Sequence, residues 1–289
     1  MAWISHIIPL ISQEGVRRGS EENSTDSRSA RKTLRRRRRA KPLLAAFFRE
    51  LGLAVYRYRE DYHYCPSVYG SGYWKKIDIK EIPDFSELAK EVINQKRTLL
   101  FYDRLHVIYQ AIWNVRHLTA DTVSMAEVGV YRGGGTYFIA SVADRLFEKK
   151  PKIHAFDTFE GHPDEMHPAV DDDHWQGKFA DTSFSDVQSY LARFSNVRPH
   201  KGRFQDRCEE VSGEQFSFVH VDVDIFSATR ACLDFFADRL LSGGIMVVDD
   251  YGITTCMGVQ EAVDRFVSER KHFFKLHLNT GQCVLIRIF

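Results

Sequence analysis

Cysteine is scarce in this chain. Its 289 residues include five, Cys65, Cys208, Cys232, Cys256 and Cys283, an odd count with no CxxC spacing. That argues against a disulfide framework or a cysteine-rich zinc cluster, and it predicts reduced thiols in a cytoplasmic protein. Long apolar runs are missing as well. No window offers the roughly 18 uninterrupted apolar residues of a spanning helix. The opening Met1-Ala-Trp-Ile-Ser-His-Ile-Ile-Pro-Leu-Ile11 is short, broken by His6 and Pro9, and has no basic residue before it, so neither a membrane segment nor a signal peptide is expected. An excess of one charge is also absent, because 40 Lys and Arg face 39 Asp and Glu. The balance hides an asymmetry: residues 1–41 carry 11 basic and 4 acidic side chains, net +7, and leave 29 against 35, net −6, for the rest. A mildly acidic body has no electrostatic footprint for nucleic acid.

Hydrophobic residues make up 44% of the chain, enough to bury a sizeable core in one α/β domain carrying an N-terminal extension. Three regions are expected. Residues 1–41 form a polar, basic tail ending in Arg35 to Arg39, too poor in apolar surface to offset the entropy of ordering. The five-arginine run reads as a solvated tail, with nucleic acid or acidic lipid as the alternative partner. Residues 42–120 form a helical N-terminal cap region, with one helix near Leu43 to Tyr58 and a second carrying Leu105, Ile108, Tyr109 and Ile112 at helical spacing. Residues 121–289 alternate strands and helices, which predicts a mostly parallel sheet covered on both faces. The strands are expected near Val123 to Val130, Ile153 to Asp157, Val197 to Lys201, Phe216 to Asp222 and Gly244 to Asp249. The helices fall at Thr136 to Glu148, Ser185 to Phe194, Ser227 to Leu240 and Gly258 to Arg270. Phe273 to Leu278 and Gln282 to Ile288 flank a turn at Asn279-Thr-Gly281, and so short a connection requires an antiparallel C-terminal hairpin.

Chemistry concentrates at strand ends. Asp222 and Asp224 follow one apolar strand, and Asp249 and Asp250 follow another. Burying one carboxylate costs several kcal/mol unless something pairs with it, so four at neighbouring strand ends imply a bound cation. Oxygen-only ligands favour a hard ion, magnesium first. Upstream, the turn Glu127-Val-Gly-Val-Tyr-Arg-Gly-Gly-Gly-Thr136 leads from a strand into a helix. Its glycines let the backbone approach a ligand, although plain strand-to-helix packing remains the alternative. Tyr131 stands where a dinucleotide fingerprint needs its second glycine, which argues against a nicotinamide. Glu127 suits a cationic ligand such as a sulfonium bearing an amino group. Asp157, at the end of the next strand, can accept hydrogen bonds from two ribose hydroxyls. With Gly129, Tyr131 and Thr136 they make up the expected cofactor-binding set. His220, two residues before Asp222, reads either as reaching substrate or as a hydrogen-bonded core histidine. The polar segment from Glu160 to Thr182, with His162, His167, Asp171 to Asp173, His174 and Trp175, reads as a lid or as a surface excursion, its aspartates as a solvated run.

These segments occur in a telling order. Glu127 to Thr136, then Ala155-Phe-Asp-Thr-Phe-Glu-Gly161, Val221-Asp-Val-Asp-Ile-Phe-Ser-Ala-Thr229 and Leu241-Ser-Gly-Gly-Ile-Met-Val-Val-Asp-Asp-Tyr-Gly252, followed by Gly258 to Phe266, together resemble the macrocin O-methyltransferase (TylF/MycF/NovP) family of class I S-adenosylmethionine enzymes. The resemblance runs from about Leu99 to the C-terminus. It implies a Rossmann-like methyltransferase sheet and a magnesium-dependent methyl transfer to a hydroxyl, typically on a sugar of a natural product. By motif position it assigns Asp222, Asp249 and Asp250 to the metal, Asp224 to the general base, and Glu127, Gly129 and Asp157 to the cofactor. The chain departs from the family at Thr158, commonly Ser, and at Phe226, commonly Tyr. The partner is then a small hydroxylated, glycosylated substrate, and a homo-oligomer is compatible with the pattern. Two rivals belong to other classes. A metal-dependent glycosyltransferase could use Asp222 and Asp224 but leaves Asp249, Asp250 and the glycine turn unexplained. A non-catalytic scaffold using the basic tail has no reason to keep a costly acidic cluster.

Overall fold

The computed structural model describes residues 79–118, 123–163, 174 and 176–289. The basic tail, the expected helix near Leu43 to Tyr58 and, within the 160–182 segment, His167, Asp171 to Asp173 and Trp175 lie outside the described residues. Among the described residues no helix is long and apolar enough to cross a membrane.

Seven strands form one sheet in the order β3-β2-β1-β4-β5-β7-β6. They are β1 (Val123–Val128), β2 (Lys152–Asp157), β3 (Val197–Lys201), β4 (Gln215–Val221), β5 (Leu240–Val248), β6 (Phe273–His277) and β7 (Cys283–Arg287). The first five are parallel, and β7 runs antiparallel between β5 and β6. The expected parallel sheet and terminal hairpin are both present.

Among the described residues seven α-helices accompany it: α1 (Pro83–Asn94), α2 (Tyr102–Val115), α3 (Gly134–Leu146), α4 (Phe184–Leu191), the single-turn α5 (Phe204–Arg207), α6 (Phe226–Ala237) and α7 (Met257–Glu269). Strand alternation divides them between two cores. Phe85, Leu105, Ile108, Ile112 and Phe138 of α1 to α3 pack with Met125, Phe218 and Val247 on one face. Phe204, Leu233, Phe236, Val259 and Phe266 of α5 to α7 pack with Ala126, Val219 and Met246 on the other.

Two features depart from the sequence reading. Helix α1 was not anticipated, although Pro83 stands at its start and Phe85, Leu88, Ala89 and Val92 form its buried stripe. Leu240, expected to end a helix, instead begins β5. Pairing then jumps from Phe216 opposite Leu240 to Phe218 opposite Ile245, and Ser242, Gly243 and Gly244 bulge between them.

The register aims particular side chains at one place. Glu127 pairs with His220, and His220 with Val247. Beyond the strand ends, Asp222 N–H donates to the Val128 carbonyl and Asp249 N–H to that of Val221, each at 2.8 Å. With a side-chain period of two, Glu127, His220, Asp222 and Asp249 share the face covered by α1 to α3, at the carboxyl edge.

Candidate active site

The turn after β1 forms the floor of a cleft at this edge. Gly129 (φ +94°) passes so close to the Asp222 backbone that a Cβ would lie 1.8 Å from its carbonyl oxygen, and only glycine fits both the angle and the contact. Its N–H donates to the Phe156 carbonyl at 2.9 Å. Tyr131 is also left-handed (φ 52°), a conformation unfavourable for a bulky side chain unless the surroundings enforce it. They do so here. The Asp157 carboxylate accepts from the N–H groups of Val130 (2.7 Å), Tyr131 (2.8 Å) and Phe159 (2.6 Å), the Thr182 hydroxyl donates to the Tyr131 carbonyl, and the Tyr131 hydroxyl donates to Asp181 at 2.9 Å. Asp157 therefore clamps the turn as well as lining the cleft.

Glu127 is buried, with one carboxylate oxygen 3.0 Å from His220 Nδ1 and the other accepting from the Thr136 hydroxyl. A Cβ on Gly135 would fall 2.2 Å from the first oxygen, so the glycine lets the carboxylate sit against the first turn of α3, where the helix dipole favours negative charge. Thr136 holds Glu127 from behind and is not among the lining residues, while Glu127, Gly129, Tyr131 and Asp157 are. His220 is fully buried and likewise absent from the lining, with Nδ1 against Glu127 as in a hydrogen-bonded core histidine.

Asp222, Asp224, Asp249 and Asp250 all line the same cleft. The structure sorts them into two neighbouring groups. His220, Asp222 and Asp249 each offer a ligand atom within 4.8 Å of the others, while Asp250 groups with Asp224 and Cys256. Asp224 (φ 60°) and Asp250 (φ 57°) both adopt left-handed backbone, strain of the kind that collects at functional sites. Arg104 of α2, which the sequence reading passed over beside its apolar stripe, reaches Asp249 at 2.6 Å and Asp250 at 2.9 Å. Although burial lowers the affinity of its guanidinium for a proton, the charges of Asp249, Asp250 and Asp222 reverse this and raise it above the ordinary value.

One arginine does not balance four carboxylates. Burial, then the charges of Asp249, Asp250 and Asp224, push Asp222 well above the usual carboxylate range. Burial, Asp249 and a hydrogen bond to Asp224 raise Asp250 to about 7. Burial would lift Asp224 too, but hydrogen bonds from His162 and from the protonated Asp250 outweigh it and draw Asp224 down to about 2. Asp249 Oδ1 and His220 Nε2 are buried without a hydrogen-bond partner. Orphaned acceptors among crowded carboxylates fit a cation.

The rest of the cleft draws on α2's approach, Leu99 and Leu100, on Phe156 in β2 and Thr158 after it, and on Arg203, Phe204 and Gln205 after β3. Arg97 anchors this wall, donating to Asp186 at 2.7 and 3.0 Å and to the Arg132 carbonyl at 3.1 Å.

The strand order, the terminal antiparallel hairpin and the cleft at the carboxyl edge define a class I methyltransferase fold. The solved O-methyltransferase NovP superposes with a TM-score of 0.57 at 20% identity, over 67% of this chain and 83% of that one. The calicheamicin methyltransferase CalS11 superposes with a TM-score of 0.51 at 16% identity, over 75% and 99%. Residues 85–286 match the sequence pattern of the macrocin-O-methyltransferase (TylF) family, and the chain belongs to that family. It is 30% identical over 151 residues to mycinamicin III 3''-O-methyltransferase of Micromonospora griseorubida, a match covering 48% of this chain and 58% of that protein. It is 27% identical over 154 residues to 8-demethyl-8-(2,3-dimethoxy-alpha-L-rhamnosyl)-tetracenomycin-C 4'-O-methyltransferase of Streptomyces olivaceus, covering 49% and 59%. The chain thus spans under two thirds of the length of either curated relative.

Proposed function

We propose that this protein moves the methyl group of S-adenosylmethionine to a hydroxyl of a small glycosylated molecule, with a divalent cation, magnesium first, assisting. The observation that carries the reading is the meeting in one cleft of a glycine turn closed by Glu127 and Asp157 with the four carboxylates Asp222, Asp224, Asp249 and Asp250. Membership in the macrocin-O-methyltransferase family supports it, and the names of both curated relatives describe O-methyl transfer. A reducing compartment such as the cytoplasm fits the four described cysteines, which are all free.

Glu127 supplies negative charge for the amino group of the methionine portion, and Gly129, by accommodating the Asp222 carbonyl, keeps the turn beside it closely packed. The Asp157 oxygen that carries only one backbone donor, Oδ1, has lone-pair capacity left for a ribose hydroxyl. Asp222, Asp249 and Asp250 would hold the cation, which when bound stabilises the developing alkoxide of the acceptor. Arg104, bridging Asp249 and Asp250, must share or yield their oxygens to it. Asp224 is ionised at neutral pH and so is able to accept the acceptor's proton, while His162, 3.2 Å away, donates to it and holds the carboxylate in place. Alignment of oxygen, carbon and sulfur supplies much of the remaining rate.

Calorimetric titration with S-adenosylhomocysteine, with and without magnesium, tests the reading. Binding of the nucleoside is expected, together with a separate magnesium isotherm lost in Asp249→Asn. Binding of a nucleotide sugar in its place would move the assignment to the glycosyltransferase class.

A further inference from the structure

His162 and His174 stand at a position that the methyl-transfer reading does not use in full. His162 Nε2 lies 3.2 Å from Asp224 Oδ2, and His174 Nε2 lies 3.2 Å from Cys256 Sγ. Cys256 Sγ is 3.7 Å from Asp224 Oδ1. The two imidazoles meet edge to face with centroids 5.0 Å apart, and His162, His174 and Asp224 offer ligand atoms all within 4.8 Å of one another. Two nitrogens and a carboxylate thus converge, and the Cys256 thiol, which groups with Asp224 and Asp250, stands beside His174 and Asp224. His174 and Cys256 are buried, and His162 and Asp224 are mostly so.

We infer that His162, His174, Asp224 and Cys256 form a second metal centre, for a borderline-soft divalent ion of the zinc type. A tetrahedral ion with bonds of about 2.0–2.1 Å to nitrogen and oxygen and 2.3 Å to sulfur sets its donors about 3.3–3.7 Å apart. Three of the six donor pairs stand at 3.2, 3.2 and 3.7 Å, with His162 on Oδ2 and Cys256 on Oδ1 of Asp224, so binding draws the thiol and the His162 imidazole onto a common centre. The donor set also separates this centre from its neighbour: nitrogen and sulfur select zinc-like ions, whereas Asp222 and Asp249 offer oxygens suited to magnesium. Lys178 Nζ lies 3.1 Å from His174 Nδ1, which turns Nε2 toward Cys256. On binding, the Cys256 thiol proton leaves to solvent, the His174 ring proton moves from Nε2 to Nδ1, and Lys178 turns away from that nitrogen. Because the ion takes Asp224 as a ligand, its arrival removes the proposed base, so zinc inhibits where magnesium assists.

Titration of the full-length protein with cobalt(II), followed by absorption, tests the site without relying on methyl transfer. The expected spectrum has the intense visible bands of tetrahedral cobalt and a near-ultraviolet thiolate-to-cobalt band. Cys256→Ser should abolish the thiolate band, His162→Ala should weaken cobalt binding by about 10-fold or more, and Asp249→Asn should leave the spectrum unchanged. A weak octahedral spectrum, or a thiolate band that survives in Cys256→Ser, overturns the proposal. So does a signal lost in Asp249→Asn but kept in Cys256→Ser. Should a variant misfold by circular dichroism, zinc-edge X-ray absorption of the unaltered protein decides, since the site requires one sulfur scatterer at about 2.3 Å. These outcomes hold whether or not the protein transfers methyl groups.

Discussion

Glu214 at the amino edge and Asp222 and Asp250 at the carboxyl edge of the same sheet are treated in opposite ways. At the amino edge, Glu214 accepts from the Ser124 hydroxyl, from Lys152 at 2.9 Å and from His154 Nε2 at 2.9 Å; His154 continues to His200 at 3.0 Å and His200 to Glu210 at 2.7 Å. Burial alone would raise Glu214, but hydrogen bonds from Lys152 and Ser124 and the neighbouring His154 lower it to about 2. At the carboxyl edge, burial and mutual repulsion drive Asp222 and Asp250 the other way, with Arg104 as their cationic neighbour. An acid supplied with donors stabilises the fold, and acids crowded together await a ligand. Glu214 is therefore tied into the fold, while Asp222 and Asp250 are left short of donors for their charge.

The sharpest test of that contrast is Asp224→Asn. It keeps the side-chain shape and should leave S-adenosylhomocysteine and magnesium binding in place while turnover falls by roughly 10²- to 10⁴-fold. Near-normal turnover in a steady-state assay would exclude Asp224 as the base, and lost magnesium binding would make it a ligand of that ion.

Arg104→Met removes the guanidinium that Asp249 and Asp250 share. Leaving buried charge uncompensated should destabilise the fold by about 3–5 kcal/mol in urea denaturation, with partial recovery in added magnesium. No recovery would mean that the carboxyl edge does not take a cation in its place.

Asp157→Ala leaves three backbone N–H groups without their acceptor. It should cost about 2–3 kcal/mol of stability and weaken S-adenosylhomocysteine binding by at least about tenfold. Unchanged affinity by calorimetry would confine Asp157 to the clamp.

Glu214→Gln should reverse the pattern, lowering stability by about 1–2 kcal/mol while activity stays near normal. The pH dependence has a fixed sign. Because the folded value is depressed from 4.5 to about 2, the contribution is complete above pH 4.5 and is lost as pH falls toward 2. A stability difference between the two proteins that persists unchanged at the acid end would remove Glu214 from the amino-edge account.

Most of the carboxyl edge was legible because strand ends announce themselves. Apolar runs ending in Asp222 or Asp249, and a glycine turn after Glu127, carry local signals of period and turn chemistry. Helix α1 carries such a signal in Pro83 and its apolar stripe. Leu240 misled because helix and strand share apolar leucine, and the bulge at Gly243 and Gly244 hid the strand's true start. Arg104, His162, His174 and Cys256 could not be assigned in that way. Arg104 lies 145 residues from Asp249, and Cys256 lies 82 from His174. Contacts over such separations leave no periodic trace, and only the folded sheet brings them together.

The clamp that Asp157 makes on the turn after β1 decides when order is acquired. Fixing backbone costs roughly 1–2 kcal/mol per residue in entropy, and across Gly129 to Gly133 the fold has already absorbed it through the bonds to Val130, Tyr131 and the Phe156 carbonyl. A molecule arriving at the floor of the cleft meets backbone already in its final shape, so its affinity carries no charge for ordering this loop.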